Sequence, residues 1–415
     1  MRSSLLATAI AASLGLAGLV STDAAMAATK PAQVSLSAEQ LQQMQAQIAA
    51  LQAQVQQLQS QATQLQSQSD AQAEVNVAQA KAVEEAAAAS TKVDKLAKLV
   101  NDNKIGGRMF MDMTNINQTS NGDKTDASGT GFDVKRFYLS VNHSFNDIWS
   151  AALTTDFQYS SAVGATELFV KNAYVQAKLD PAFTLRLGVA GMPWTGYVEN
   201  YYGYRYVENT LTDRTKFANT ADWGVHALGD LGEQFNYAVS VVNGAGYKNP
   251  GRSKGMDVEG RVGYTPIDNL SIALGGYTGH LGQETQNISA EHTFNRGDVM
   301  VAYADQNFRL GGEYFVAKNR NNVLTAFDDK STGWSVWGSV KLTDGGINAF
   351  ARYDKTDLSK DIDPTLTDKY WNVGVEFPVF NNFKVATVYK YTHQENNGSK
   401  DNETKEFGVW GDLTF

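Results

Sequence analysis

The sequence contains no cysteine, and its only long apolar run lies at the N-terminus. The mean hydropathy of −0.34 excludes a helical membrane protein. The apolar run, residues 5–20, follows Arg2 and precedes Ala25-Met26-Ala27, a small-residue cleavage site. This pattern predicts a secretory signal peptide over residues 1–27, removed after Ala27. An exported chain without disulfide bonds must be stabilised by backbone pairing or by extensive burial.

A basic excess is missing as well. The chain has 35 Lys and Arg residues against 44 Asp and Glu residues, which gives a net charge of −9. Nucleic acid is therefore excluded as a partner, because no surplus of cations is available to neutralise phosphates. The net charge does not decide which small solutes the protein handles, since the selectivity of a pore depends on local charge.

Signals of catalysis and of cofactor binding are absent too. The sequence has no P-loop, dinucleotide fingerprint or zinc spacing, and no cofactor is expected. Of the five histidines, His143 is followed by Ser144, but adjacent residues on a strand face opposite sides. Asp361 and Asp363 are interpreted as solvated loop residues, and not as a calcium site. We expect neither an enzyme nor a metal site.

Residues 37–100 are rich in Ala and Gln and almost free of Gly, Pro and aromatic residues. Their apolar residues recur at alternating steps of three and four, which predicts a coiled-coil helix within a domain of residues 28–103. Ser37 and Gln40 form a candidate capping box at its start. A flexible Gln/Ala-rich linker is the alternative, because Gln offers no charge pairing between helices. The seam consists of Leu41, Ile48 and Val55 at a, and Met44, Leu51, Leu58 and Leu65 at d.

From Ile105 onwards the apolar residues alternate with polar ones, which indicates strands with one apolar face. In one such strand Phe137, Leu139 and Val141 interleave with polar residues. Tight turns alternate with long polar loops such as residues 192–220, as in a transmembrane barrel. A soluble sandwich would carry more charge on its polar face. The fold class is therefore all-β: a transmembrane antiparallel β-barrel of about 16 strands over residues 104–415, preceded by the helical coiled coil.

Several short motifs of this region, in their order, resemble the phosphate-selective porin family of the O and P type. The resemblance implies a 16-stranded, trimeric channel of the Gram-negative outer membrane, embedded in lipid. It also implies that the terminal Phe415 is the signal that the barrel-assembly machinery reads. The heptads alone favour a coiled coil of two helices, but we expect the barrel to impose a trimer. The motifs are Arg136-Phe137-Tyr138-Leu139, Ala173-Tyr174-Val175, Leu185-Arg186-Leu187-Gly188, Gly191-Met192-Pro193-Trp194, Asp222-Trp223-Gly224-Val225, Gly229-Asp230-Leu231 and Ala351-Arg352-Tyr353-Asp354.

The resemblance implies that loop 192–220 folds into the lumen, where its cations could attract an anion and its tyrosines could stack on a sugar. An extracellular loop whose aromatic residues pack on each other is the alternative. The family's dense series of pore-lining Arg and Lys is replaced here by mixed charges. Because side chains alternate along a strand, Arg136, Lys178, Arg186 and Arg261 are expected to point inward, and so are Asp156, Asp257 and Glu259. The carboxylates could form a row opposite the cations, or they could form salt bridges with them. The candidate selectivity residues are Tyr201, Tyr204, Arg205, Arg214, Lys216, Arg136 and Arg186.

The sequence thus predicts an outer-membrane porin, a passive water-filled channel for small hydrophilic solutes, with anions such as phosphate as candidates. The alternative is a general or carbohydrate-type porin whose coiled coil also tethers the outer membrane to peptidoglycan. In both cases the N-terminal segment lies in the periplasm. A trimeric adhesin or autotransporter is disfavoured, because the chain contains too many strands.

Overall fold

The computed structural model describes residues 37–160 and 165–415. The predicted signal peptide, residues 1–27, lies outside these residues. The chain divides into two units after Thr91. No helix among the described residues is long and apolar enough to cross a membrane.

Helix α1 spans Ala38–Asp102, 65 residues, without a buried side chain. Its start confirms the predicted capping box: the Ser37 amide donates to Gln40 Oε1 at 3.2 Å, and the Gln40 amide donates to Ser37 Oγ at 3.3 Å. The helix is confirmed, which excludes the flexible linker. Its apolar seam is open, since Leu41 is 46% and Ile48 52% exposed. The coiled coil itself stays a prediction.

Sixteen long strands form one antiparallel sheet that closes into a barrel. Strand β1 pairs with β3 on one side and with the last strand, β17, on the other, so that Met113 lies opposite both Phe132 and Val409. A two-residue strand, β2, extends the first loop. The predicted antiparallel barrel of about 16 strands is confirmed. The strands are β1 Asn103–Ser120, β2 Asp123–Lys124, β3 Gly129–Ser144, β4 Trp149–Ser160, β5 Ala165–Asp180, β6 Phe183–Gly191, β7 Ala221–Leu231, β8 Phe235–Val242, β9 Asp257–Ile267, β10 Leu270–Gly279, β11 Phe294–Ala304, β12 Phe308–Lys318, β13 Lys330–Lys341, β14 Asn348–Asp357, β15 Thr367–Phe380, β16 Phe383–Glu395 and β17 Asp401–Thr414.

Short turns and long loops alternate around the barrel, as predicted. Turns such as 181–182, 268–269 and 381–382 lie at one end. The long loops lie at the other end, which we call the long-loop end. This end carries the predicted loops 192–220, 319–329 and 358–366. It also carries two loops that were not predicted, 243–256 and 280–293.

The two faces of the sheet differ in polarity. Along β11, Arg296 and Asp298 are buried inside the barrel, while Val299 and Val301 are 41% and 48% exposed outside. Aromatic residues such as Tyr314 and Trp334 also point outward, at 45% and 39% exposure. A polar interior with an apolar, aromatic-rimmed exterior is the arrangement of a transmembrane barrel.

Two bulges add cations to the interior of the barrel. The register shifts opposite Phe110/Met111 and at Thr154/Thr155, which leaves Lys135 of β3 and Lys171 of β5 as extra residues. Both reach inward: Lys135 Nζ lies 3.4 Å from the Val207 carbonyl, and Lys171 Nζ lies 3.3 Å from the Tyr138 hydroxyl. A bulge breaks the two-residue period, so counting alternate residues missed both lysines.

Candidate pore constriction

The loop of residues 192–220 enters the barrel directly after β6. Trp194 is fully buried at this point. Its amide donates to Glu259 Oε1 at 2.9 Å, and its indole Nε1 donates to Glu313 Oε2 at 3.3 Å. Helices α2 (Thr195–Tyr202) and α3 (Leu211–Arg214) follow inside the barrel. The loop thus lies in the lumen and not on the outer surface.

The loop is fastened to the far wall, strands β12 to β16, by charged and polar contacts. Arg214 donates to Asp354 of β14 at 3.0 Å and to Asp368 of β15 at 2.6 Å. Tyr206 donates to Glu376 at 2.7 Å. Ion pairs of this kind, shielded from water, are costly to break. The loop therefore divides the lumen. A cavity of about 280 Å³ remains between the loop and the opposite wall and is lined by Arg136, Gln158 and Arg205, and we infer that the passage runs along this wall, β3 to β6.

Most tyrosines of the loop are packing residues. Tyr204 stacks on Phe350 with ring centroids 4.0 Å apart, and only 6% of it is exposed. Burial raises the pKa of Tyr204 to about 12. Tyr201 packs against Tyr197 at 5.4 Å and stays half-buried. The predicted stacking of tyrosines on a solute is therefore limited to the Tyr197–Tyr201 pair, while Tyr204 belongs to the wall.

The family model described as phosphate-selective porin O and P matches residues 103–267, which confirms the predicted resemblance over this region. The barrel has the porin fold, and the family match over β1 to β9 supports a porin channel. Family and fold point to an outer-membrane channel rather than an enzyme. Comparison with curated proteins gives no match.

Solved structures share the fold of this porin at low identity. OprB of Pseudomonas putida is 11% identical, covers 78% of this chain and 96% of its own, and gives a TM-score of 0.55. An anion-selective porin from Comamonas acidovorans is 13% identical over 75% and 99% of the two chains, with a TM-score of 0.53. A loop-deletion mutant of OmpT from Vibrio cholerae is 16% identical over 75% and 99%, with a TM-score of 0.52.

The three cations predicted for the loop of the porin have different surroundings. Arg205 borders a cavity of about 280 Å³ and binds Glu199 at 2.6 Å and Asp213 at 3.7 Å. Arg214 is held by the far wall and is not directed at a solute. Lys216 is exposed, with a backbone φ of 64°, and its carbonyl accepts a hydrogen bond from Arg320.

The predicted strand cations point inward, but they do not face opposed carboxylates. Arg136 of β3 forms an ion pair with Asp156 of the adjacent β4. Glu259 likewise binds Arg296 at 2.9 Å. Arg186 of β6 donates to Gln176 at 2.8 Å and lies 4.9 Å from the ring centre of Tyr174. The inward charges of the wall therefore form salt bridges with each other, and they do not form rows of opposite charge across the lumen.

Two lysines that the sequence pattern did not indicate also face the passage. Lys171 faces it from a bulge, and Lys248 faces it from loop 243–256, donating to Gln158 at 2.6 Å. Among the described residues, no carboxylate lies within 4.0 Å of the charged nitrogens of Lys171, Arg186 or Lys248. Asp133 and Glu167 are carboxylates of the same wall, and among the described residues no cation lies within 4.0 Å of either. The unpaired charge along the passage is thus positive by a small margin.

Asp213 is expected to make the ion selectivity of the porin depend on pH. Burial raises the pKa of Asp213; the Arg205 charge opposes this shift without cancelling it. Glu199, Lys171 and Arg136 also act on this carboxyl group. A raised pKa means that Asp213 becomes neutral at a higher pH than an ordinary aspartate. Arg205 then loses a counter-charge, and the anion-to-cation permeability ratio should rise as the pH falls towards 4.

Reversal potentials in a KCl gradient between pH 7 and pH 4 test this prediction. Asp213→Asn should show the higher ratio already at pH 7 and lose this part of the pH dependence. A wild-type ratio that stays constant over this range would contradict it. Asp123→Asn, at an exposed carboxylate of the first loop, is the matched control.

Proposed function

We propose that this porin is a passive water-filled channel for small hydrophilic solutes with a preference for anions. The observation that carries the proposal is the set of three inward cations, Lys171, Arg186 and Lys248, without a carboxylate within 4.0 Å among the described residues. Of the three carboxylates that act on Lys248, Asp156 is paired with Arg136 and Asp213 with Arg205, and only Glu167 is unpaired. A solute anion can therefore replace a missing counter-charge in the passage, whereas a cation finds most carboxylates occupied.

The anion preference is modest and does not single out phosphate. Asp133 and Glu167 add unpaired negative charge to the same wall, so that small cations also pass. Of the residues predicted from the sequence, we assign the anion preference to Arg186, which has no carboxylate partner, and to Arg205 at low pH, where Asp213 is neutral. The alternative, a general or carbohydrate-type channel, is supported by the half-buried Tyr197–Tyr201 pair.

Neutralising two lysines tests the anion preference. Lys171→Gln with Lys248→Gln should move the reversal potential of single channels in a KCl gradient towards cation preference, because two unpaired positive charges leave the passage. Inorganic phosphate at millimolar concentration should block the wild type more strongly than this variant. Lys405→Gln removes an outward lysine that is paired with Glu403 at 2.8 Å, and it should change neither value. A wild-type porin without anion preference would favour the general channel.

We propose that α1 forms a parallel three-stranded coiled coil in the periplasm and that the porin is a homotrimer. Support comes from the apolar seam, whose members, among them Leu51 at 59% and Leu58 at 63%, are exposed in one copy. The helix is long enough, at about 1.5 Å per residue, to reach peptidoglycan. Phe415 completes β17 by pairing with Gly107, and we propose that it is the residue read by the barrel-assembly machinery.

Charged substitutions in the seam test the coiled coil. Ile48→Asp with Val55→Asp in the full chain should lower the melting temperature of the helical circular dichroism signal at 222 nm, since both residues occupy the a position. The strand signal of the barrel should be unchanged. Gln43→Asp with Gln57→Asp, at c positions outside the seam, is the matched control. If the helical signal of both variants melted at the same temperature as that of the wild type, this would contradict the coiled coil.

A further inference from the structure

A groove of about 490 Å³ lies on the outer face of β10 to β12, at the long-loop end. Its floor is formed by Gly276 and Gly297, which lie directly opposite each other on β10 and β11. A side chain at Gly297 would meet no atom within 4 Å, so the space above it is open. Val258 and Val316, 37% and 47% exposed, line the groove. The groove is therefore apolar and points towards the membrane.

Two lysines stand at the upper edge of the groove. Lys318 and Lys330 end β12 and begin β13 directly opposite each other. Like charges in this arrangement destabilise a sheet unless a counter-charge lies nearby. Lys330 Nζ is 3.8 Å from Asp361, in a pair exposed by about half. Lys318 has no carboxylate within 4.0 Å among residues 37–160 and 165–415. The charge of Lys318 is thus compensated only at longer range, by Asp328, which acts on both lysines.

The depth of the groove follows from the aromatic residues below it. Tyr314 and Trp334 lie opposite each other on the same two strands, each four residues closer to the barrel centre than the lysines. Outward Tyr and Trp residues mark the level of lipid headgroups. Four residues of a strand span roughly 13 Å, so both lysines reach the outer part of the headgroup region. The groove opens between these two levels.

We propose that this groove binds a phosphate-bearing lipid of the membrane leaflet at the long-loop end. The lipid phosphate lies between Lys318 and Lys330 and supplies the close counter-charge that Lys318 lacks. The part of the headgroup next to the phosphate lies on the Gly276–Gly297 floor, where the two missing side chains leave room for it, and the acyl chains extend from there past Tyr314 and Trp334 into the membrane. The site is on the outside of the barrel, and it is independent of the anion preference of the pore.

Lipid binding to the purified full chain in detergent micelles, measured by native mass spectrometry during titration with diphosphorylated lipid A, tests the proposal. We expect Lys318→Gln with Lys330→Gln to weaken binding roughly 25-fold, because each lysine near a phosphate contributes about fivefold. Gly297→Leu should weaken binding by filling the groove without changing any charge. Removal of both phosphates from the lipid should abolish the difference between wild type and the lysine variant.

The barrel offers a matched control pair. Lys355 and Lys369 also lie opposite each other on the outer face, but Asp357 at 3.9 Å and Glu395 at 2.8 Å provide their counter-charges. Lys355→Gln with Lys369→Gln should leave lipid A binding unchanged. Equal weakening by both lysine pairs would overturn the proposal. So would equal binding of phosphorylated and dephosphorylated lipid, full competition by inorganic phosphate alone, or a groove variant that changes only the oligomeric state.

Folding of each variant is verified by the shift in electrophoretic mobility between unheated and heated samples. Gly297→Leu keeps the proposal testable even where the lysine variants fold poorly, since its side chain enters open space on the outer face.

Discussion

Replacement of Arg296 by methionine is expected to prevent stable assembly of the barrel. The Arg296 side chain is fully buried and binds Asp298 at 2.8 Å and Glu259 at 2.9 Å. It also donates to the Phe217 carbonyl and so holds the end of the constriction loop. Methionine would fill the space but would leave two buried carboxylates without a cation, which typically costs about 3–5 kcal/mol.

The folded fraction after refolding into detergent, measured by mobility in unheated gels and by circular dichroism, checks this expectation. Arg296→Met should refold poorly, whereas Arg296→Met with Glu259→Gln and Asp298→Asn should recover much of the folded fraction because no unpaired charge remains. Arg186→Met serves as the control, since Arg186 also faces the lumen but binds no carboxylate. A single Arg296→Met variant as stable as the wild type would show that this ion-pair network contributes little.

The barrel could be predicted from the sequence because its strands obey one local rule. Each outward residue meets lipid and each inward residue meets the polar interior, so a two-residue period is written along every strand. The same rule fails at a bulge, because the added residue reverses the inward and outward order of the residues that follow it. Lys135 of β3 and Lys171 of β5 lie at bulges, and both were missed for that reason.

The role of the loop residues could not be predicted because their partners are distant in sequence. Arg214 binds Asp354 and Asp368, 140 and 154 residues further along the chain. Nothing local distinguishes Arg214 from Arg205, which lies on the same loop and borders the open cavity. The loop was correctly expected in the lumen through the family resemblance. Which of its charges hold it there, and which face the solute, depends on the register of strands far from it.

The Arg214–Asp354–Asp368 contact predicts a second large effect, on the pore itself. Arg214→Ala should release the tip of the constriction loop from β14 and β15 and widen the passage. We expect a higher single-channel conductance with frequent fluctuations, since a loose loop samples several positions. Asp368 would then face the lumen without a counter-charge, whereas Asp354 keeps its ion pair with Arg352 at 2.6 Å, and selectivity should move towards cations. Loss of this buried pair should also reduce the stability of the barrel by about 3–5 kcal/mol.

Planar-bilayer recordings of conductance and reversal potential separate this expectation from a general loss of structure. Lys216→Ala lies two residues away on the same loop, and its side chain is exposed, so its conductance should match the wild type. Arg214→Ala with Asp368→Asn should keep the high conductance but lose the cation shift, because the released carboxylate is then neutral. A quiet, wild-type conductance for Arg214→Ala would instead mean that the contacts of Trp194 and Tyr206 with the wall suffice to hold the loop.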